Sequence, residues 1–143
     1  MAKSGRAFAD RKKVQSITAD ITLEKADCGT YMMLNVASGC TVTLPSISDA
    51  GEGWWCRFYV ATNCSSNTYV IQENAGSDTD TIIGGINELE VDTSDDGPSS
   101  TGCTFITFAN ALDTVGDFVE VICDGSNWYI FGQSKLDGAI ALT

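Results

Sequence analysis

The sequence predicts an all-β protein: a sandwich, a jelly-roll-like fold or a barrel of about 8–10 short antiparallel strands behind an extended N-terminal arm. Short runs of residues alternate between apolar and polar side chains, which is the period of a half-buried strand. Gly, Asn, Ser and Thr separate these runs, and they are typical of tight turns. No segment keeps a period of 3.6 residues, so long helices are not expected.

The clearest strand pair is the β-hairpin predicted for residues 118–134. Residues 118–123 and 128–131 are two apolar alternating runs, and residues 124–127 (DGSN) join them. The side chains of these four residues tolerate positive φ or bond their own backbone, which favours chain reversal. Trp128 follows the turn, where its large apolar surface can cover one end of a sandwich or barrel.

The other strand candidates are runs of the same kind. Pro45 ends one of them because it lacks a backbone donor. Residues 54–61 are apolar on both faces apart from Arg57, which indicates a central or interface strand. In chain order the candidates before the hairpin are residues 17–24, 30–36, 40–45, 54–61, 68–73, 81–83, 88–91 and 103–108.

Polar segments define the remaining organisation. Residues 46–53 form a loop with room for one helical turn, and residues 92–102 are the longest polar stretch, expected at the surface. The chain divides into a basic arm (1–15) and one β domain (16–143), whose tail from about residue 135 needs a surface to lie on.

The charge is divided sharply along the chain. Residues 1–13 hold five basic residues and one acid, a net charge of +4, and the remainder holds three basic residues and 18 acids, a net charge of −15. The body should repel nucleic acid and anionic membranes, whereas the arm can bind an acidic partner. No apolar run approaches a membrane span, and no secretory signal precedes the body, so we expect a cytosolic product without nucleic-acid or membrane partners.

The six cysteines, at positions 28, 40, 56, 64, 103 and 123, favour free buried thiols. Disulfides and a metal site are weaker alternatives, because the chain has no CxxC pair and no histidine. Residues 92–97 match only the first half of a calcium loop, and residues 78–80 are a second loose oxygen cluster. We therefore predict no cofactor and no resident metal.

The sequence also predicts that the protein is not an enzyme. Without histidine, Ser–His and Cys–His nucleophilic pairs are excluded. The many acids lie in loops, where carboxylates usually stay hydrated, and none is marked as the desolvated acid that glycosidic chemistry needs. A small hydrolase using loop acids is the least favoured alternative.

The pair Trp54–Trp55, together with Tyr59, is the candidate contact surface. Adjacent strand residues face opposite ways, so one tryptophan should lie in the core and the other should point outward. An outward tryptophan serves a subunit contact or a glycan site, and we favour the subunit contact.

Four segments together resemble small β-rich virion proteins of tailed bacteriophages. They are CTVTLP (40–45), GEGWWCRFYVA (51–61), ITFANALD (106–113) and GDFVEVICDGSNWYIFG (116–132). The resemblance covers about residues 17–133 and points to head-decoration (cement) proteins and related tail-fibre modules.

As a decoration protein, the chain is expected to form trimers on the capsid surface, after synthesis in the host cytoplasm, and to stabilise the head by binding the major capsid protein. The alternative within the resemblance is a tail-fibre module that recognises glycan. The arm is expected to bind the shell. Its basic residues would neutralise acidic shell surface, and two apolar residues would anchor it: Lys3, Arg6, Arg11, Lys12 and Lys13 are the basic ones, and Phe8 and Val14 the apolar ones.

Overall fold

A computed structural model describes residues 11–91 and 97–143, which form two β-sheets packed against each other. The described chain also contains a 3₁₀ turn (Lys25–Asp27) and one short helix, α1 (Ile47–Ala50). The strands are β1 (Lys13–Ile17), β2 (Ile21–Thr22), β3 (Thr30–Leu34), β4 (Cys40–Thr43), β5 (Trp55–Val60), β6 (Tyr69–Gln72), β7 (Ile82–Glu88), β8 (Ser99–Cys103), β9 (Phe105–Phe108), β10 (Phe118–Cys123), β11 (Trp128–Ser134) and β12 (Ile140–Leu142).

The seven-stranded sheet has the order β1-β3-β5-β10-β11-β7-β8, and the five-stranded sheet has the order β12-β9-β6-β4-β2. The all-β class and the sandwich are thus confirmed, and neither sheet closes into a barrel. The predicted hairpin is β10 and β11, paired antiparallel from Phe118↔Gln133 to Cys123↔Trp128.

The sheets are mixed, whereas the sequence had predicted antiparallel strands. The first six strands alternate between the two sheets, so β1, β3 and β5 lie parallel in one sheet and β2, β4 and β6 lie parallel in the other. The chain reverses direction once when it crosses to the other sheet and again when it returns. The next strand in the first sheet therefore runs in the same direction as the previous strand of that sheet. Direct hairpins, which give antiparallel pairs, connect only some of the strands.

Two segments that had been assigned to a loop and a tail are strands. Ser99–Cys103 forms β8 at the edge of the seven-stranded sheet, although its sequence SSTGC has little apolar content. Ile140–Leu142 forms β12, which pairs with β9 and so gives the apolar tail the surface it needs. The helical turn allowed for residues 46–53 is α1, capped by Ser46, whose Oγ accepts from the Asp49 amide at 3.1 Å. No helix in the described parts of the chain is long and apolar enough to cross a membrane.

The core lies between the sheets and is built from the inward side chains of both. Trp128, Tyr69, Phe58 and Phe108 are fully buried. The rings of Trp54 and Trp128 meet edge to face with centroids 5.5 Å apart. Burying each such side chain contributes about 1.5–3 kcal/mol to folding, so this layer holds the two sheets together.

β7 approaches β11 closely because Gly84 has no side chain. Gly84 has φ of +141°, and a Cβ at this position would lie 2.1 Å from the carbonyl oxygen of Ile130, its partner in β11. Gly53 also has a positive φ, +86°, but a Cβ there would meet nothing within 4 Å. A side chain at Gly53 would therefore be disfavoured only by the backbone conformation, whereas one at Gly84 would also collide with β11.

We predict that Gly84→Ala destabilises the protein more than Gly53→Ala. The control substitution should cost about 1–2 kcal/mol through its positive φ, and Gly84→Ala should cost about 1–3 kcal/mol more because β7 must move away from β11. Urea unfolding at a fixed protein concentration measures the difference. Equal losses would show that β7 and β11 are not held at this distance.

Candidate interaction surface

The outward side of the seven-stranded sheet is apolar and aromatic. Successive strand residues point to opposite faces, so the residues between those of the core should be polar if this face were simply hydrated. Instead most of them are apolar and form a continuous surface, which we call the aromatic face and which the outward residues Ser16, Gln133 and Asn87 border. It consists of Val14, Tyr31, Met33, Trp55, Tyr59, Ile83, Phe118, Ile122, Tyr129 and Phe131, together with Arg57 and Glu120.

Strand register aligns these side chains in rows across the sheet. The central row runs through Val14, Tyr31, Arg57, Glu120 and Phe131, which are successive cross-strand partners. Cross-strand partners on one face have Cβ atoms about 4.5–5.5 Å apart, close enough for direct contact. The flanking rows are Trp55–Ile122–Tyr129–Ile83 on one side and Met33–Tyr59–Phe118 on the other.

The aromatic rings contact one another along the face. Tyr31 stacks on Tyr59, with centroids 6.2 Å apart and planes 12° from parallel, and meets Trp55 edge to face at 5.9 Å. Tyr59 contacts Phe118 at 5.4 Å, and Phe118 contacts Phe131 at 6.2 Å. Each such pair contributes about 0.5–1.5 kcal/mol beyond its buried area, so the rings hold one another in fixed positions.

Arg57 and Glu120 form an ion pair at the centre of this surface. Nε and Nη2 of Arg57 both donate to Glu120 Oε2, the first at 2.9 Å, and Nη1 donates to the Tyr59 hydroxyl at 3.1 Å. The guanidinium carbon lies 5.1 Å from the Phe118 ring centre and 5.6 Å from that of Tyr31. The bond to Tyr59, and then Glu120, raise the pKa of Arg57, so the guanidinium stays charged. Its formal charge and that of Glu120 cancel, which leaves the face without formal net charge.

Large parts of the face are open to solvent. Val14 is 60% exposed, Phe131 53%, Ile122 44% and Tyr129 42%. Ile122, Tyr129 and Phe131 adjoin one another on β10 and β11, whereas Val14 lies at the edge of the sheet. Single exposed apolar residues are ordinary, but a contiguous group such as these three is typical of contact surfaces.

The structure divides the predicted tryptophan pair as the alternation required. Trp54 is 2% exposed, packs on Trp128, and its indole N–H donates to the Glu24 carbonyl at 3.3 Å. It is a core residue, so its prediction as a subunit or ligand contact was wrong. Trp55 and Tyr59 lie on the aromatic face, half-buried among their neighbours.

The predicted arm residues fall into three groups. Lys3, Arg6 and Phe8 lie outside the described residues. Arg11 and Lys12 are exposed just before β1. Lys13 and Val14 belong to β1 itself, an edge strand that pairs with β3, so residues 13–15 of the predicted arm are part of the body's sheet.

β1 joins the basic segment to the aromatic face. Lys13 lies 3.9 Å from the Asp27 carboxylate and donates to the Ala26 carbonyl at 3.4 Å, on the body's own surface. Val14, the next residue, points onto the aromatic face at the end of its central row. The chain therefore enters the body at the rim of that face.

Buried carboxylates in the described chain hold loops in place through hydrogen bonds from backbone amides. Asp113 accepts from the Cys64 amide at 2.8 Å, and Asp117 accepts from the amides of Thr114 and Lys135 at 2.8 and 2.9 Å. Burial raises the pKa of both carboxyls. Each one fastens segments that are distant in sequence, a role that the linear pattern around residues 106–117 had not revealed.

A groove of about 590 Å³ near α1 is lined by two loop carboxylates. Its carboxylates, Glu24 and Asp49, are both exposed, and the Ser46 hydroxyl donates to Asp49 at 2.7 Å. Acid catalysis on glycosides needs one desolvated carboxyl beside another, and this pair does not offer one.

The calcium-like segment of residues 78–80 does not gather a ligand set in the described chain. Asp78 accepts from the Ile47 amide at 3.0 Å, and Asp80 accepts from the Thr104 hydroxyl at 3.0 Å, so both bond to protein groups. Residues 92–96 lie outside the described residues. Across 11–91 and 97–143, no group of three His, Cys, Asp or Glu side chains is placed to hold a metal ion.

The fold and its surface define a β-sandwich with one aromatic sheet face, a neutral patch on an otherwise acidic body. Comparison of the chain with protein-family models, curated proteins and solved structures gives no match.

The cysteines differ sharply in accessibility. Cys28 is exposed, and the other five are buried as small apolar residues. Burial raises the pKa of Cys40 to about 11 and that of Cys64 to about 12. The thiolate is the reactive form, so the buried thiols are protected both by access and by protonation.

We predict that, near pH 8, a thiol reagent such as Ellman's reagent modifies one cysteine rapidly in the native protein and all six after unfolding in urea. Cys28→Ser should remove the rapid phase, and Cys123→Ser is the matched control that keeps it. Rapid modification of a second native thiol would contradict the burial described here.

Proposed function

We propose that this chain is a non-catalytic structural protein of a virion, of the head-decoration type, which docks on the outer shell through its basic N-terminal segment. One observation carries the proposal. Residues 1–13, with a net charge of +4, lead into the edge strand of a body whose remaining charge is −15.

The charge division gives the protein two ends with opposite preferences. At physiological salt, screening limits exposed charges to a range of about 8 Å, so the acidic body and the basic segment act independently on nearby surfaces. The segment is attracted to an acidic shell, and the body is repelled by it and by other decorated particles. Binding would therefore orient the body outward.

Strand addition supplies affinity that charge alone lacks. An extended segment that pairs with an exposed sheet edge gains main-chain hydrogen bonds, and its side chains set the register. The segment ahead of β1 enters an extended strand directly, which suits this mode of binding to the major capsid protein. A ligand that binds only the assembled shell stabilises that shell by mass action, so the function needs no chemistry.

The proposal predicts that deletion of residues 1–12, which leaves β1 intact, abolishes binding to empty heads assembled from the accompanying major capsid protein. Replacing Lys3, Arg6, Arg11 and Lys12 by Gln should weaken binding by about tenfold or more, because each exposed ion pair contributes about 0.2–1 kcal/mol. Cosedimentation with heads at two salt concentrations measures both effects.

The matched control replaces Lys25 and Lys135, two lysines of the body, by Gln. This variant should bind heads as the unaltered chain does. If the deletion variant binds heads with unchanged affinity, the basic segment is not the shell anchor and the proposal fails.

A tail-fibre module that binds glycan is the second candidate, and the open rings of Phe131 and Tyr129 favour it. A sugar ring can stack on an exposed aromatic ring, and the neighbouring Glu120 carboxylate can accept hydrogen bonds from its hydroxyls. This function predicts glycan binding by the isolated protein, detected by array or NMR titration and lost in Tyr129→Ala. It also predicts that deletion of residues 1–12 leaves glycan binding unchanged, which separates it from the decoration function.

A further inference from the structure

We propose that the aromatic face is the surface through which copies of this chain bind one another. The proposed function expects copies of the chain to associate, and this inference deepens it by assigning the contact surface and naming a second copy of the chain as the occupant. It rests on that function for its biological purpose only. The size of the face, its side chains and its charges all support this assignment.

The size of the face suits a protein partner. The six strands from β1 to β7 extend across about 24 Å at a spacing of about 4.8 Å, and the outer two of its rows are about 13 Å apart along the strands. With side-chain widths added, the face offers on the order of 600 Å² per copy, or about 1,200 Å² for two copies. This equals the lower end of the range for stable interfaces, about 1,200–2,000 Å².

The composition matches that of an interface centre. Such centres are enriched in Tyr, Trp, Phe, Met and Arg and depleted in Lys, Asp and Glu. The aromatic face has all five enriched types, and the acid Glu120 is paired with Arg57. The rings are already fixed by mutual contacts, so little side-chain freedom remains to be lost on association.

The charges make the face complementary to itself. Two copies with acidic bodies repel each other, but they can approach through a surface of no net charge. When copies are related by a rotation axis near the centre of the face, Arg57 of one copy lies next to Glu120 of the partner subunit. The ion pairs then alternate across a two-fold axis, the isologous arrangement in which both copies use the same surface.

The position of β1 allows the contact between copies and the contact of the basic N-terminal segment with the shell to form at the same time. Val14 lies at the rim of the aromatic face, so association of the faces leaves the start of β1 at the edge of the assembly. Several copies would then present several basic segments to one shell. Linking binding segments in this way raises the overall affinity without any new contact.

The test is the oligomeric state of the full chain, measured by sedimentation or light scattering over a range of protein concentrations. Phe131→Asp places an unpaired carboxylate on the open part of the face and should weaken association by tenfold or more. Phe105→Asp is the matched control, because Phe105 is an exposed phenylalanine, 39% accessible, on β9 of the other sheet. It should leave association unchanged.

Two further variant sets keep the test decisive. Ile122→Asp changes a second exposed position of the face, in the row next to the Arg57–Glu120 pair. It should dissociate the copies and replaces Phe131→Asp if that variant does not fold. Circular dichroism shows whether each variant is folded. Arg57→Glu and Glu120→Arg should each weaken association, and the double exchange should restore it, because opposite signs again meet within and between copies.

The inference is overturned if the full chain is a monomer at every concentration, or if Phe105→Asp dissociates the copies as much as Phe131→Asp does. A monomer that binds glycans or heads through the aromatic face also overturns it and assigns the face to that partner. Association without any binding to heads would support the inference while the decoration function fails. Head binding by a chain that stays monomeric would support the decoration function and overturn the inference.

Discussion

The packing of two sheets through one shared apolar layer is the constraint on which this molecule depends. Trp128, Phe58, Tyr69 and Phe108 fill that layer, and all four are inaccessible to solvent. Side chains alternate along a strand, so when every second residue of a strand faces this layer, the residues between them face the other side of the sheet. In the seven-stranded sheet many of the outward residues are also apolar, so folding itself creates an apolar surface that is partly open to solvent.

The winding of the chain determines which residues share that surface. β3 and β5 are neighbours because β4, the strand between them, lies in the opposite sheet, whereas β10 reaches β5 after two further strands in each sheet. Each crossing must bring together residues that are far apart in sequence, and this closure costs entropy before any contact is gained. Glycines at the close approaches, such as Gly84 against Ile130, allow the strands to meet.

The surface has three parts that differ in charge. The N-terminal segment is positive, the body is strongly negative, and the aromatic face is neutral because Arg57 and Glu120 pair at its centre. Each part suits a different contact: attraction to an acidic surface, repulsion that keeps particles apart, and apolar association. A structural protein that must bind a shell, remain soluble and join its own copies would need all three.

Local chemistry in the sequence determined the hairpin, the all-β class and the division between Trp54 and Trp55. The hairpin turn shows why: Asp124 accepts hydrogen bonds from the amides of Ser126 and Asn127 at 2.8 and 2.7 Å, and these bonds, with that to Asn127 foremost, lower its pKa. Contacts within four residues can be read directly from a linear pattern. Residue alternation likewise indicates that two neighbours point in opposite directions.

Only the tertiary structure decided which strands are neighbours, and with them the aromatic face. Tyr31 and Glu120 flank Arg57 through pairings that no local pattern contains, and the polar sequence of β8 becomes a strand because β7 offers it an edge. Alternation specifies a direction for each side chain, but not the side chains that it will meet. Those depend on how the whole chain divides between the two sheets, which is settled by the burial of the shared core.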